Sequence, residues 1–463
     1  MTGIWWVRDD LRLHDNPALT AAADEGPVIA VHIDEQIEGV RPLGGATRWW
    51  LHHSLSRLGE QLREHGVPLV LVSGDPEQLI PQLVRDSGAD SVRWSRRYHA
   101  PRRAVDARVK SALREAGVRA ESFEGYLLHE PWTITTQAGS PYKVYSAFAR
   151  ACRAAAPPRP GIGIPSPLTG PADGVRAGGH EMHAWRGGAH VEQILDHRAW
   201  LPTAPDWAGG LRQTWTPGEA GARRKLDALE DVLDDYAEDR ERPAVAGTSS
   251  LSPHLRFGEI SPHEVWQRSL ELGRGTGHDT FRAELLWREF AWHRLFQLPD
   301  LAHRNVRAQF DAFAWREDTE ELHAWQHGRT GIDLVDAGMR QLWRTGWMHN
   351  RVRLVVGSFL TKNLRLHWRC GEQWFWDTLV DADEASNPFN WQWVAGTGDD
   401  AAPYFRVFNP ERQQERFDPE GRYVRQWVPE IGTSDRDAPI VDLSASRRDA
   451  LAAYEDVRGA SGR

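Results

Sequence analysis

Cysteine is nearly absent. Cys152 and Cys370 are the only two in 463 residues, which excludes a disulfide framework and a cysteine-rich metal centre and suits a reducing cytosol. No apolar run is long enough to span a bilayer, and the opening stretch MTGIWWVRDD is charged where a signal peptide would be apolar. The expected setting is soluble and cytoplasmic, without a membrane partner. Several catalytic signatures are missing too: a Walker loop, Gly-x-Ser-x-Gly and a Ser-His-Asp order. His254, His263, His293 and His349 lack the carboxylate or thiolate spacing of metal ligands, so no metal is expected. Positive charge is in deficit, with a formal net charge of −9. That argues mildly against a nucleic-acid partner, although a net value hides its distribution.

What is present divides into three parts, and a chain of this length is expected to hold more than one domain. In residues 1–130, short apolar runs at 4–7, 28–33, 69–72, 91–94 and 118–123 alternate with helical segments such as 46–64 and 102–116. That alternation predicts an α/β domain with a doubly wound parallel sheet, which binds ligands beyond the carboxyl ends of its strands. Asn16-Pro17 reads as a cap followed by proline at the first helical position. The turn after the first strand has no Gly-x-Gly, so a dinucleotide fingerprint is absent. Residues 131–217 form a connector, rich in proline and glycine from 154 onward, whose Trp185, Trp200, Trp207 and Trp215 argue against disorder. Residues 218–463 read as an all-α domain, with helices expected over 223–239, 280–297, 331–344 and 348–366. Ser252-Pro253 and the capping box at Ser261-Pro262-His263-Glu264 mark two further helix starts.

The chemistry concentrates at residues 374–408. Asp381 and Asp383 precede Asn387, Trp391, Trp393, a small-residue turn at 395–398, then Tyr404, Phe405 and Arg406. A helix–loop–helix corner in a Trp-rich core explains the composition equally well. Upstream, Glu284, Trp287 and Arg288 share one helix face, as an intrahelical ion pair or as a carboxyl group beside an aromatic wall. Asn350, Arg353 and Leu354 share another, with Arg351 turned aside. Arg353 is flanked by apolar residues and therefore needs a carboxylate, Asp381 or Asp383. Residues 247–252, GTSSLS, offer hydroxyls and amides at a helix start, a general anion site. From 339 to 371 there are Arg340, Arg344, Arg351, Arg353, Lys362, Arg365 and Arg369 and no acid, interleaved with Trp343, Trp347 and Trp368. Such a stretch suits a polyanion with stacking bases, or a solvated helix face.

In the order TSSLS, ELLWREF, GWMHNRVR, DAD, NPFNWQW and DAAPYFRVFNP, the chain resembles the photolyase/cryptochrome family. The match runs from WWVRDDLRLHDNPAL near the start to FDPEGRYVRQWVPEI near the end. The resemblance implies an α/β antenna domain, an α-helical domain holding FAD, and light-driven repair of cyclobutane pyrimidine dimers in UV-damaged DNA, by an electron passed from reduced, photoexcited FAD to the flipped-out dimer. Photolyases are among the enzymes known to extrude their target base. It places Tyr236, Thr248, Ser249, Ser250, Leu251, Ser252, Phe281, Arg288, Asn350, Arg353, Asp381, Asp383 and Asn387 around FAD, with Asn387 facing flavin N5. It makes Trp391, Trp368 and Trp315 an electron relay. Glu284 becomes the dimer-contacting acid, Trp287 and Trp393 the aromatic walls, and Arg240, Asn350, Arg351, Leu354 and Arg406 further lesion or DNA contacts. Leu354 stands where many members have Met, Phe281 where Trp is common, and Pro388 follows Asn387. Arg102 replaces the Glu of folate-binding members, leaving a deazaflavin, a folate, a flavin or no second antenna chromophore open. The alternatives are a cryptochrome-type blue-light photoreceptor, a (6-4) photoproduct photolyase using His349, and a non-catalytic flavin-containing DNA-binding module. Asn387, Glu284 and the short stretch after Ile431 count against the photoreceptor. A monomer is expected.

Overall fold

The computed structural model describes residues 1–172, 189–400 and 405–461, so Trp185 and Tyr404 lie outside the described residues. Five parallel strands, β1 (Gly3–Val7), β2 (Val28–Glu35), β3 (Leu69–Gly74), β4 (Ser91–Ser95) and β5 (Arg119–Phe123), form one sheet in the order β3-β2-β1-β4-β5. The doubly wound expectation holds. β1 is central: Gly3 to Val7 pair with Val28 to His32 on one side, and Gly3 to Trp6 with Ser91 to Trp94 on the other. Its side chains alternate between faces, Trp5 entering one core with Trp49 and Trp50, Trp6 the other with Ile80 and Trp94. Covered on both faces, the strand reads as a continuous apolar run rather than an alternating one. Helices α1 (Pro17–Ala23), α2 (Gly45–Glu64), α3 (Pro76–Ser87) and α4 (Ala100–Glu115) connect the strands. Asn16 caps α1 by accepting from the Leu19 amide at 3.0 Å, as the Asn-Pro signal predicts.

Beyond the strands, helices predominate. The stretch expected to be a connector contains the helices Tyr145–Ala154, Ala189–His197 and Gly209–Thr214, so it is more structured than its composition implied. The helix expected over 223–239 is broken into Glu219–Asp227, a 3₁₀ turn Ala228–Asp231 and the single turn Tyr236–Asp239. Leu226, Leu229, Leu233 and Tyr236 still keep one apolar side buried across the breaks, which is why the sequence reads as continuous. The helix expected over 348–366 runs from Asn350 to Ser358 and then widens into a π-helical segment, Phe359–Asn363. Ser261 does cap Pro262–Glu271, accepting from the Glu264 amide at 3.0 Å. Among the described residues no helix is long and apolar enough to cross a membrane.

Buried polar ties join the sheet to the helices. Glu289 accepts from the amides of Leu128 and His129 at 2.9 and 3.1 Å. Arg256 pairs with Asp9 at 2.7 Å, and Arg102 with Glu384 at 2.8 Å. Removing one member of such a pair strands the other in a low-dielectric interior, so these contacts fix the register of the two halves. Cys152 and Cys370 are both free.

Candidate functional site

Three helices build one cavity, each with residues at helical spacing. Thr276–Gln297 contributes Phe281, Glu284, Leu285 and Arg288; Asn350–Ser358 contributes Asn350, Arg353, Leu354 and Gly357; Ser386–Ala395 contributes Asn387, Asn390, Trp391 and Val394. The i, i+3, i+4, i+7 pattern places each set on a single face. Tyr236, Arg240, residues 248–252 and the turn 379–383 complete a space of about 280 Å³, near the lower end of small-molecule sites, roughly 300–1,000 Å³. Pro388 sits in the first turn of Ser386–Ala395, where proline is tolerated, and leaves the helix intact.

The polar groups are mutually arranged. Arg353 pairs with Asp381 at 2.9 Å, the carboxylate partner its apolar flanks require. Ser252 Oγ donates to the same carboxylate at 2.7 Å. It therefore does not cap its helix, contrary to the Ser-Pro signal; Leu251 occupies the cap position. Ser250 adopts a left-handed backbone with φ 53°, which turns residues 248–252 around the cavity edge. Asp383 is buried and accepts from the amides of Ala385 and Ser386 at 2.8 and 2.5 Å. Burial pushes its carboxyl pKa up, against the pull of the Ser386 amide, Arg256 and Arg288. Glu284 pairs with Arg240 at 2.7 Å, not with Arg288, so the intrahelical pair is not formed. Arg288 instead donates to the Tyr126 carbonyl at 2.9 Å and lies over the Tyr126 ring at 4.5 Å. Burial raises the Glu284 pKa, opposed by Arg240.

Asn387 is oriented by a residue that sequence reasoning missed. Its Nδ2 donates to both the backbone carbonyl and Oε1 of Glu372, at 3.0 and 2.8 Å. Glu372, almost wholly buried, is in turn held by Arg41, which donates to Oε2 at 2.8 Å and stacks on Trp376 at 3.6 Å. A carboxylate and a carbonyl can only accept, so the amide orientation follows from its partners. Asn387 thus has its carbonyl oxygen left for the cavity. The only local signal for Glu372 is a lone acid in the Trp- and Phe-rich segment EQWFW.

Other expected residues lie around this core. Trp368 is fully buried and donates to Asn305 at 2.8 Å, and the His367 ring stands 5.7 Å from it and 5.0 Å from Trp315. One face of Trp287 is covered by Tyr145, stacked at 3.5 Å, and Trp393 donates to the Asp400 carbonyl at 3.0 Å. Neither lines the cavity. The basic stretch 339–371 is not one surface: Arg353 faces the cavity, Lys362 is buried against Ala395 and Phe405, and Arg340 pairs with Glu430 at 2.6 Å. Of that stretch, Arg351 alone turns into an open basic groove that it shares with Arg406, Arg412, Arg416, Arg447 and Arg448. Arg412, Arg416, Arg447 and Arg448 were missed in the sequence, where the i, i+4 spacing of Arg412 and Arg416 in PERQQERF is a signal that could have marked this groove. A second open space, about 570 Å³, lies at the carboxyl ends of β1 and β2, walled by Arg8, His32, Glu35, Arg41, Arg97 and Arg102. Arg102 bridges Glu35 and Glu384 there, at 3.1 and 2.8 Å.

Flat apolar walls, an arginine–carboxylate pair, a run of hydroxyls and an outward carbonyl oxygen suit a large heterocycle with a phosphate-bearing tail. Comparison with known proteins agrees. The model for the FAD binding domain of DNA photolyase matches residues 281–448, and that for DNA photolyase matches residues 3–166. A deoxyribodipyrimidine photo-lyase from Agrobacterium fabrum is 47% identical, over 98% of this chain and 98% of that one. Cryptochrome-2 of Arabidopsis thaliana is 35% identical over 96% of this chain and 74% of its own. The crystal structure of a bacterial class III photolyase from Agrobacterium tumefaciens superposes with a TM-score of 0.91 at 45% identity, covering 99% of this chain and 98% of that one.

Proposed function

This chain belongs to the DNA photolyase and cryptochrome family, and we propose that within it the chain is a light-driven lyase that splits cyclobutane pyrimidine dimers in UV-damaged DNA. The observation that carries this reading is the Glu284–Arg240 pair on the wall of the same cavity that presents the Asn387 oxygen. It sets a lesion-binding acid beside a cofactor-binding face.

The residues fit FAD by their donor and acceptor chemistry. The hydroxyls of Thr248, Ser249, Ser250 and Ser252 and the Leu251 amide would hold the phosphates and ribose, with Tyr236 beside them. Arg353 with Asp381, and Arg288 with Asp383, would hold the polar edges of the two ring systems, and Phe281 and Trp391 would wall them. Asn387 would accept a hydrogen bond from a ring N–H, favouring the protonated nitrogen of a reduced flavin. Reduced FAD, when bound, supplies under blue light the electron that opens the cyclobutane ring.

The protein's own work is to receive and orient the lesion. A dimer stacks poorly, so extruding it costs less than extruding a normal pair. Glu284, whose pKa burial raises against the pull of Arg240, would meet the polar edge of a lesion base with the carboxyl group that Arg240 holds in place. Asn350 and Leu354 would complete the lesion contacts, with Trp287 and Trp393 flanking the entrance. Arg240, Arg351 and Arg406 would hold backbone phosphates. His349 argues against (6-4) chemistry. Burial, with Arg240 and Arg353 nearby, brings its pKa down to about 4, and its Nδ1 accepts from the Arg351 amide at 3.2 Å. A neutral imidazole that caps through Nδ1 keeps its hydrogen on Nε2 and lacks the acidic proton of an imidazolium.

The deciding assay uses the reduced, anaerobic protein with an oligothymidine containing one dimer. Thymine absorbance should rise under blue light and stay constant in darkness. No rise from a flavin-loaded protein would move it to the photoreceptor class.

Glu372 gives a second test. Glu372→Leu should free the Asn387 amide to turn, changing the spectrum of bound flavin and speeding reoxidation of the reduced form by roughly tenfold, equivalent to one lost hydrogen bond of about 1.4 kcal/mol. An unaltered spectrum and reoxidation rate would mean that Glu372 does not set the amide.

A further inference from the structure

The groove beside the cavity mouth holds six arginines, Arg351, Arg406, Arg412, Arg416, Arg447 and Arg448, and one acid, Glu241, among its described lining residues. That acid is not spread among them. It pairs with Arg351, whose guanidinium also lies over the Phe417 ring at 4.5 Å. Both partners are only partly covered, with side chains 21% and 27% exposed. Burial and the charges of Arg240, Arg416 and Arg406 depress Arg351 to about 10, so this guanidinium stands in a field of like charge and needs an anion beside it. The pairing rests on proximity and leaves groups on both sides unsatisfied: Arg351 Nε and Glu241 Oε2 are buried without a hydrogen-bond partner among the described residues. A fork of five N–H donors has capacity that one carboxylate does not fill.

Position along the chain adds a second constraint. Glu241 follows Arg240, whose side chain turns the other way, into the cavity and onto Glu284 at 2.7 Å. Adjacent residues thus carry one ion pair in the lesion cavity and one in the phosphate groove. A phosphodiester entering the groove meets Glu241 already in the place that charge complementarity assigns to a phosphate.

We propose that Glu241 is an intramolecular stand-in for a DNA phosphate, which occupies Arg351 in the free protein and must be displaced when the damaged strand docks. The inference rests on the repair reading, in which Arg351 is a phosphate contact. Glu241 then lowers DNA affinity, because docking exchanges one anion for another at this arginine and gains little there. Its removal leaves a net cation in the groove, open to any backbone.

The test uses the full-length, flavin-loaded chain and a duplex with one thymine dimer, titrated over a range of salt concentrations, with flavin content measured for each variant. Glu241→Gln should tighten binding roughly 3- to 10-fold at low salt and steepen the plot of log affinity against log salt by about 0.9. Arg351→Ala should weaken binding and flatten that slope, and Glu241→Gln added to Arg351→Ala should give no further tightening. If Arg351→Ala weakens binding but Glu241→Gln leaves it equal or weaker, Glu241 is a structural partner and the inference fails. If Arg351→Ala leaves affinity and slope unchanged, the phosphate role itself fails, and the stand-in with it.

Discussion

Trp391→Phe is expected to cut light-driven reduction of bound, oxidised flavin by at least about a factor of 100, on the order of 2.7 kcal/mol in barrier terms, while protein reduced chemically beforehand still splits dimers. The asymmetry follows from where the ring sits. Trp391 is buried, lines the cavity, and meets Phe375 at 4.9 Å and Trp325 at 6.1 Å. It carries the cavity wall onto Trp325, whereas the proposed lesion contacts are other lining residues, Glu284, Asn350 and Leu354. A phenyl ring fills most of the same space but is far harder to oxidise than indole. Two exits from Trp391 can be tested against each other. One is the relay that the family resemblance implies, through Trp368 to the half-buried Trp315, two indoles that share His367 as a neighbour. The other would begin at Trp325, whose ring meets that of Trp391 directly. Trp368→Phe separates them: loss of photoreduction assigns the exit to Trp315, and retention assigns it to the Trp325 branch. Undiminished photoreduction in Trp391→Phe would remove this residue from the relay altogether.

The same region shows how far sequence alone carries. The Arg353–Asp381 pair was legible because an arginine among apolar residues must find a carboxylate, and only two candidates stood in the densest functional stretch. The cavity-facing residues were legible where helical spacing ordered them. Partners set by tertiary approach were not. Glu284 had an arginine four residues away, yet it pairs with Arg240, 44 residues distant in sequence. Ser252 had the local chemistry of a cap and gave its hydroxyl to Asp381, 129 residues on. Glu372 orients Asn387 only because Arg41, from the loop after β2, holds its carboxylate, and that contact spans 331 residues. The break in the helix expected over 223–239 has the same character: its apolar side continues through the turns, so periodicity could not reveal it.

Gly371→Ala is expected to destabilise the fold by about 1–3 kcal/mol, the range of overpacking in a close-packed core, and to release flavin. Gly371 lies in the helix Trp368–Thr378, where alanine alone would favour helix by roughly 0.5–1 kcal/mol. The neighbour reverses the sign. A methyl group there would sit 2.1 Å from Trp391 Cη2, with two more ring atoms at 2.5 and 2.6 Å. The indole has little freedom to retreat, because a Cβ at Gly357 would already meet the same ring at 3.5 Å and Val394 at 2.9 Å. The remaining direction is into the cavity, onto the face that the flavin would cover. Gly459→Ala is the matched control: it is exposed, in the helix Leu443–Ser461, and its added methyl meets nothing within 4 Å. It should change stability by no more than about 1 kcal/mol. Chemical denaturation and flavin retention measured on both variants compare one substitution in two surroundings. Equal stability would mean that Trp391 can shift without loss, and that the cavity wall is softer than its packing indicates. Loss confined to Gly371→Ala would make this glycine, rather than any polar contact, the condition for an indole lying flat against the cofactor face.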